Sequence, residues 1–371
     1  MMIKYSAPCL LGLEGLVADE LRQMEAANVQ AQNGRVDFEG NENILVRSNI
    51  WSRYSERILI RMGSGIVKSF EELFQLVKSL PWEEWIEVKD AFPVKGYSLN
   101  SKLHSVSDCQ AIVKKAIVER LKSKYTVSWF EETGPMHQVQ FSIMKDEATL
   151  FIDSSGAGLH KRGYRPVSNT APIKETLAAA MADLARVRHY HTLYDPTCGS
   201  GTILIEGAMK ALNIAPGLRR SFACERFNQI SDDIWRTERS RAMDMIIHDA
   251  DFKAYGLDID AKSLEIASEN ARRAGVAMKI DFSKRDIKDF ERKSEKGTLI
   301  CNPPYGERMG DIRSARELYA VMGEKFISEH GWAYYIISPD EEFEDFFGRK
   351  ADKRRKLYNG MIKCQLYMYY K

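Results

Sequence analysis

The strongest constraint on folding lies in the second half of the chain, where short apolar strands and helical periods alternate. Strand-like runs fall near residues 192–195, 254–257, 278–282, 298–301 and 333–338, with helical spacing near 173–188, 202–212, 261–274 and 316–328. A strand, a helix and another strand in succession demand a crossover, and crossovers of one hand lay the strands parallel. The expected core is therefore α/β, a doubly wound sheet that binds its ligands at the carboxyl ends of the strands. One segment breaks the rhythm. Residues 354–358 and 361–370 read as two strands around Asn359-Gly360, a strong hairpin signal. A parallel sheet closed by an antiparallel hairpin strand is an uncommon variant of the doubly wound plan.

The 371 residues exceed the usual single-domain size, so two or three domains are expected. Ahead of the α/β half, shorter strands and helices suggest small α+β modules: a helix over 10–21, a strand at 35–38, helices at 70–79 and 108–122, and strands near 95–100, 138–144 and 147–152. Ser154-Ser155-Gly156-Ala157-Gly158 reads as a linker. The boundaries implied are 1–63, 64–160 and 161–371. Six cysteines occur without a CxxC pair, which offers neither a zinc site nor a disulfide framework and suits reduced, cytoplasmic thiols. No run approaches the roughly 18 apolar residues of a membrane span. The formal charge is only +2, and the first 165 residues carry 21 basic against 21 acidic side chains. Charge alone therefore does not point to nucleic acid.

Asp195-Pro196-Thr197-Cys198-Gly199-Ser200-Gly201-Thr202 falls between a strand and a helix. Glycines there admit a ligand close to the backbone at a helix N-terminus. A phosphate loop would need Lys after its last glycine, and Ile203 follows Thr202. A dinucleotide loop would need a third glycine where Leu204 stands. An acid ahead of the glycines suits instead the cationic end of S-adenosylmethionine (AdoMet). The next strand ends in Asp258-Ile259-Asp260, where Asp258 is placed for ribose hydroxyls. Asp260 equally suits the N-cap of the helix from Ala261. The strand after that ends near Asp286-Ile287, an acceptor for an adenine amino group beside an apolar contact, although Asp286 also suits a simple turn cap. The 57 residues from Gly201 to Asp258 require an insertion near 215–251 to loop out.

Asn302-Pro303-Pro304-Tyr305 follows the fourth strand. By composition such a tetrad arises by chance in about one or two chains per hundred of this length. An exocyclic amine on a base is a poor nucleophile because its lone pair is delocalised into the ring. Two acceptors, the Asn302 side-chain oxygen and the Pro303 carbonyl, can hold its hydrogens and aim the lone pair at a methyl group. Consecutive prolines fix that carbonyl and remove competing N–H groups. Tyr305 offers a ring on which an extruded base can stack. The chemistry that remains is positioning, and it requires no strong general base.

These motifs resemble the RlmL-type guanine-N2 methyltransferases of large-subunit ribosomal RNA, which carry a THUMP domain. The resemblance rests on Gly163-Tyr164-Arg165, the run from Ala171 to Ala179, residues 195–202 with Ile205-Glu206, Ile214–Gly217, Trp235, residues 302–308 and Asp352-Lys353. For the N-terminal part it rests on Leu11–Glu14, residues 70–85 and residues 107–118. It implies a class I (Rossmann-like) methyltransferase domain with a C-terminal antiparallel hairpin, preceded by a ferredoxin-like region and a THUMP RNA-binding domain. It implies AdoMet as cofactor, S-adenosylhomocysteine as product, and RNA as partner, with no membrane and no metal. Cofactor contacts are expected at Asp195, Thr197, Cys198, Gly199, Gly201, Thr202, Asp258, Ile259, Asp286, Ile287 and Asn302. The tetrad Asn302, Pro303, Pro304 and Tyr305 is expected to be catalytic. The long form of the family carries a second methyltransferase domain, so a chain ending at Lys371 is expected to be the short form. Two basic runs are expected at RNA phosphates, through Lys161, Arg162 and Arg165 and through Arg354 and Arg355. Transfer RNA guanine-N2, DNA adenine-N6 and a non-enzymatic role in ribosome assembly are the alternatives.

Overall fold

A computed structural model describes residues 2–166, 173–306 and 309–370, in two sheets of seven strands each among those residues. The first sheet is built from β1 (Ile3–Pro8), β2 (Ala27–Gln32), β3 (Arg35–Gly40), β4 (Leu59–Ile66), β5 (Val94–Leu99), β6 (Val139–Met144) and β7 (Glu147–Asp153). Its order is β2-β3-β1-β4-β7-β6-β5, and the β5–β6 pair is its parallel one. Helices α1 (Glu14–Gln23) and α2 (Glu42–Trp51) belong to its first half, and α3 (Phe70–Ser79) and α4 (Val106–Tyr125) to its second.

The boundary expected at 63/64 falls inside β4, which joins the halves into one sheet by pairing with β1 and with β7. Sequence patterning passes over β4 because Arg61-Met62-Gly63-Ser64-Gly65 lacks alternation. The glycine at 63 answers to packing: a Cβ there would lie 2.5 Å from Leu80 Cδ2. Helix α2 escapes the pattern for the opposite reason. It is buried almost all round, including Ser48 and Asn49, so it has no polar face to mark its period.

The second sheet holds β8 (Thr192–Asp195), β9 (Lys253–Asp258), β10 (Ile280–Lys284), β11 (Gly297–Cys301), β12 (Trp332–Ser338), β13 (Lys353–Asn359) and β14 (Ile362–Tyr369). Its order is β10-β9-β8-β11-β12-β14-β13, parallel through β12 and antiparallel at the hairpin. Helix α5 (Glu175–Leu184) precedes β8, and α6 (Thr202–Ala211), α7 (Asp232–Asp244), α8 (Ala261–Ala274), α9 (Met309–Lys325) and α10 (Phe343–Phe347) lie between the strands that follow. The α/β architecture expected from the alternation is present. The hairpin turns one residue later than expected: Asn359 pairs with Ile362, and Gly360-Met361 make the turn. Strand β10 starts at Ile280 rather than 278, because a short 3-10 turn occupies Ala277–Lys279. Helix α9 begins at Met309 rather than near 316.

The order reverses between β8 and β11, the switch point where open α/β sheets open a ligand crevice. Asp195 ends β8, and Asn302 follows the end of β11.

The insertion between α6 and β9 docks the N-terminal region onto this sheet. Its α7 packs on α2, where Arg47 donates to both carboxylate oxygens of Glu238 at 3.0 and 2.8 Å. Phe227 stacks on His137 with centroids 3.9 Å apart and meets Trp85 edge-on at 6.4 Å. Ser154 and Ser155, read above as part of a linker, are fully buried. Asn49 Nδ2 donates to Ser154 Oγ at 3.0 Å, and Ser155 Oγ donates back to Asn49 Oδ1 at 2.7 Å. The segment is a buried joint, because its hydroxyls complete hydrogen bonds that the surrounding backbone and α2 need.

Candidate functional site

The carboxyl ends of β8 and β9 are locked to one another by backbone amides of the loop, one on a backbone carbonyl and one on the Asp258 carboxylate. Asp195 Oδ1 accepts from Thr197 N at 3.1 Å, which turns the chain out of β8. Cys198 N then donates to Leu257 O at 2.9 Å, and Gly199 N donates to Asp258 Oδ2 at 2.9 Å. Gly201 caps α6 with φ +77°, and a Cβ there would lie 3.1 Å from Ala267 Cβ and from Phe282 Cζ. Both the left-handed backbone and the lack of space call for glycine. Behind the loop, Asn270 Nδ2 donates to Ser200 O at 3.1 Å.

Asp195 is 2% exposed. Burial pushes its carboxyl up to about 8, against the Thr197 amide, and the nearby Asp258 carboxylate adds to the rise. A buried acid with a second acid beside it favours a cation brought to it. Cys198 is buried, and its thiol is pushed well above the ordinary value by burial and by Asp195 and Asp258, so it serves as packing rather than as a nucleophile.

The remaining acids divide by role. Asp258 Oδ1 accepts from Asp260 N at 2.9 Å, while Asp260 caps α8 through Lys262 N at 3.2 Å and Ser263 N at 3.1 Å. Asp260 is thus committed to the helix, and Asp258 is left facing the glycine loop. Asp286 accepts from Lys288 N at 2.9 Å and caps a short 3-10 turn, with its side chain half-buried. Ile287, expected beside an adenine ring, packs into the core cluster with Leu257 and Phe290. Ile259 is instead 67% exposed and, with Asp286, lines an open cavity of about 880 Å³ beyond β9 and β10. That cavity does not reach Asp195 or Asn302.

Across the switch point, Cys301 is buried near enough to Asp195 for the acid to help raise its thiol, and Asn302 follows it. Pro303 is buried, Pro304 exposed and Tyr305 half-buried. The Tyr305 hydroxyl donates to Asn302 Oδ1 and lies within hydrogen-bonding reach of Asn359 and Cys364 on the hairpin. The hydroxyl thus points toward the hairpin, and the oxygen assigned to a substrate amine already accepts one hydrogen bond from the chain itself. The motif continuation Glu307-Arg308 lies outside the described residues, as do residues 171 and 172. Among the described residues no group of acids, histidines and cysteines could hold a metal, and no helix is long and apolar enough to cross a membrane.

Two of the arginines expected at RNA phosphates are committed to internal contacts. Arg162 is 4% exposed. It donates to the carbonyls of Ser52, Arg53 and Leu159 and to Glu206 Oε1 on α6. Removing it would strand a fully buried carboxylate, which costs roughly 3–5 kcal/mol. Arg165 donates to Thr202 Oγ1 at 2.9 Å and to Ile173 O at 3.0 Å, and pairs with Glu175 at 3.0 Å. It braces the first residue of α6. Arg354 pairs with Glu344 while staying half-exposed, and Arg355 donates to Gly12 O at 2.8 Å. Of the five, Lys161 stands exposed with no side-chain hydrogen bond or ion pair among the described residues. A basic run in sequence does not reveal acceptors as distant as Glu206, 44 residues from Arg162, and Gly12, 343 residues from Arg355.

The N-terminal region also reaches this site. Glu56 accepts from Lys174 Nζ at 3.2 Å and from Thr176 Oγ1 at 2.9 Å, and lies 3.1 Å from His160 Nδ1. Burial alone would push its carboxyl up, but these partners hold it down at about 2. Nothing in the local sequence marks Glu56, since its partners are more than a hundred residues distant.

Comparison with known proteins adds the family. A model described as "RMKL-like, methyltransferase domain" matches residues 162–368. An RlmL ferredoxin-like domain matches residues 4–59, and a THUMP domain matches residues 67–153. The chain belongs to the RMKL-like methyltransferase family. It is similar to a Bacillus subtilis protein named "Putative RNA methyltransferase YpsC", 43% identical over 373 residues that cover 100% of this chain and 97% of that one. It is also 34% identical to a Psychromonas ingrahamii "Ribosomal RNA large subunit methyltransferase K/L", covering 99% of this chain and 50% of that protein. It thus spans about half the length of that relative. Among solved structures, a Listeria monocytogenes protein described as a "predicted N6-adenine-specific DNA methylase" has a TM-score of 0.95 and 42% identity, covering 100% and 96% of the two chains. SMU.472, described as "a putative methyltransferase complexed with SAH", has a TM-score of 0.95 and 40% identity, covering 100% and 98%. The RMKL-like chain is accordingly an AdoMet-dependent RNA methyltransferase with ferredoxin-like and THUMP regions ahead of its catalytic domain.

Proposed function

We propose that the chain transfers the AdoMet methyl group to the exocyclic N2 of a guanine in large-subunit ribosomal RNA. The observation that carries this reading is the position of Asn302-Pro303-Pro304-Tyr305 across the switch point from the buried Asp195. The ribosomal target is supported by the THUMP match and by the relative named for the large subunit. AdoMet, when bound, supplies an electrophilic methyl group on a sulfonium. The loop fits such a cation, because Asp195 is a buried acid without a cationic partner among the described residues.

The residues then take the following parts. Asp195 and the backbone from Thr197 to Thr202, with Cys198, Gly199 and Gly201, receive the amino-acid end. Asp258 with Ile259 receives the ribose, and Asp286 with the backbone of Ile287 the adenine. Asn302 Oδ1 and the Pro303 carbonyl accept the two amine hydrogens of the guanine, which draws the nitrogen lone pair out of conjugation. Pro304 keeps the turn rigid, and the Tyr305 ring stacks on the extruded base once its hydroxyl has left Asn302. The nitrogen attacks in line, and the proton it sheds passes to water. Lys161 and the exposed part of Arg354 contribute to phosphate binding.

The Listeria description favours a second reading, adenine-N6 methylation of DNA. Labelled methyl transfer from AdoMet to unmodified large-subunit RNA, transfer RNA and DNA in parallel tests both. N2-methylguanosine in the large-subunit RNA is the expected product. Label confined to transfer RNA would move the target, and N6-methyladenine in DNA would replace the reading.

A further inference from the structure

The first sheet is covered unequally. Over its second half, one face packs Val139, Phe141, Ile143 and Ile152 into the main core, on the side of α3 and α4. Register places Lys95, Gln140, Phe151 and Arg61 side by side on the other face. Phe151 is 4% exposed yet belongs to neither core cluster. On β5, two residues beyond Lys95, Tyr97 is 47% exposed.

Cations crowd where this face meets the methyltransferase half. Arg57 pairs with Asp153 and donates to Gly156 O, and Gln140 Nε2 donates to the same Asp153 at 2.9 Å. Arg220, from the insertion, spends its donors on the carbonyls of Ala157, Gly158 and Lys161. Those carbonyls carry no charge, so its own charge is not neutralised there. Lys95 is half-buried and makes no hydrogen bond or ion pair among the described residues. Three cations thus share one carboxylate, Asp153. Glu225, the other acid acting on Arg220, is already paired with Arg239 at 2.7 Å. The crowding disfavours the charged forms of two of them. Arg220 is held down to about 10 by burial and by repulsion from Arg162 and Arg57, and Lys95 is lowered by burial and by Arg57. Like charges so placed gain from a polyanion that neutralises them.

We propose that Arg57, Lys95 and Arg220 form a phosphate site for an RNA strand, at the junction of the uncovered sheet face and the methyltransferase insertion. Tyr97, beside it, gives an adjacent base a ring to stack on. The site rests on the RNA reading above but is separate from the methyl-transfer crevice. It gives the RNA a fixed point between the two halves of the chain, so that the strand leaving it reaches the tetrad in one register.

The test is filter binding of the full chain to a large-subunit RNA transcript over a range of salt. Lys95→Glu should weaken binding roughly tenfold at physiological salt. Lys95→Ala should flatten the slope of log affinity against log salt by about 0.7–0.9, the loss of one phosphate contact. Lys115→Glu, beside Phe74 on the covered face, is the control and should change neither quantity appreciably. AdoMet affinity and thermal midpoint should match wild type in all three. Wild-type affinity in Lys95→Glu would overturn the site, as would an equal loss in Lys115→Glu, which would mean diffuse charge. A wild-type chain that bound no RNA would remove the RNA reading itself, a result distinguishable from both.

Discussion

The two banks of the crevice are built by different means. On the β8–β9 bank, the loop from Asp195 to Thr202 is held by backbone amides: Thr197 on Asp195, Cys198 on Leu257 and Gly199 on Asp258. Arg165 and Asn270 brace it from behind. On the β11 bank, the tetrad is held by side chains, with the Tyr305 hydroxyl on Asn302 and the hairpin's Asn359 and Cys364 in reach. The donors there are fixed in the loop's own backbone, even where the acceptor is the Asp195 or Asp258 carboxylate, so the first bank meets its ligand with its shape already set. Side-chain bonds can be exchanged, and on the second bank one already stands on the oxygen assigned to the substrate amine. The difference matches the tasks. A cofactor of constant shape needs a fixed mould, whereas a base extruded from RNA needs a site that stays closed until it arrives.

The comparison is broken most severely by deleting the acceptor itself. Asn302→Ala should lower kcat by on the order of 10²–10³, the loss found when one fixed polar group of a transition-state site is removed. AdoMet affinity by calorimetry should stay within about twofold, because the first bank does not use the Asn302 side chain for its shape. A parallel collapse of AdoMet binding would show that the banks are not independent.

The first bank can be probed by pH. Burial and Asp258 raise the Asp195 carboxyl to about 8, so in the free protein it is protonated through neutral pH. The carboxylate that receives a cation is gained as pH rises toward 8. AdoMet affinity should therefore increase between pH 6 and pH 8, by up to about tenfold per unit. Asp195→Asn cannot ionise and should flatten the profile while binding more weakly at pH 8. An unchanged slope in that variant would assign the titration to another group.

The first bank was also the more legible of the two. Asp195, Gly201 and Asp258 stand at strand ends that periodicity locates, and their residue types exclude phosphate and dinucleotide loops by local spacing. Asp260 and Asp286 were ambiguous in sequence because helix caps and ligand acceptors draw on the same residues. The structure commits Asp260 to its helix. What could not be read was long-range. Arg47 meets Glu238 across 191 residues, and Arg162 meets Glu206 through a fold that must exist before either is buried. The same blindness turned the buried Ser154-Ser155 joint into a linker, since serine and glycine look alike in a mobile loop and in a tight, fully bonded turn. The insertion near 215–251 had no function in sequence. In the fold it carries α7, the dock for the N-terminal region.

The smallest effect is the most informative about the second bank. In the free protein the Tyr305 hydroxyl occupies one lone pair of Asn302 Oδ1, and a guanine amine that uses the same lone pair must take its place. A hydrogen bond of this kind is worth about 1 kcal/mol net, so exchanging it should cost substrate affinity a factor of about five. Tyr305→Phe keeps the ring and removes the competitor. KM for RNA should fall by up to about fivefold with kcat unchanged, whereas Tyr305→Ala should raise KM through the lost stacking surface, worth about 1–3 kcal/mol. A hydroxyl that instead serves catalysis, by holding the Asn302 amide with its second lone pair toward the amine, gives the opposite signature: Tyr305→Phe would lower kcat and leave KM alone. A kinetic split between the two constants therefore decides whether the closed bank is a guard that the substrate displaces or a brace that it uses.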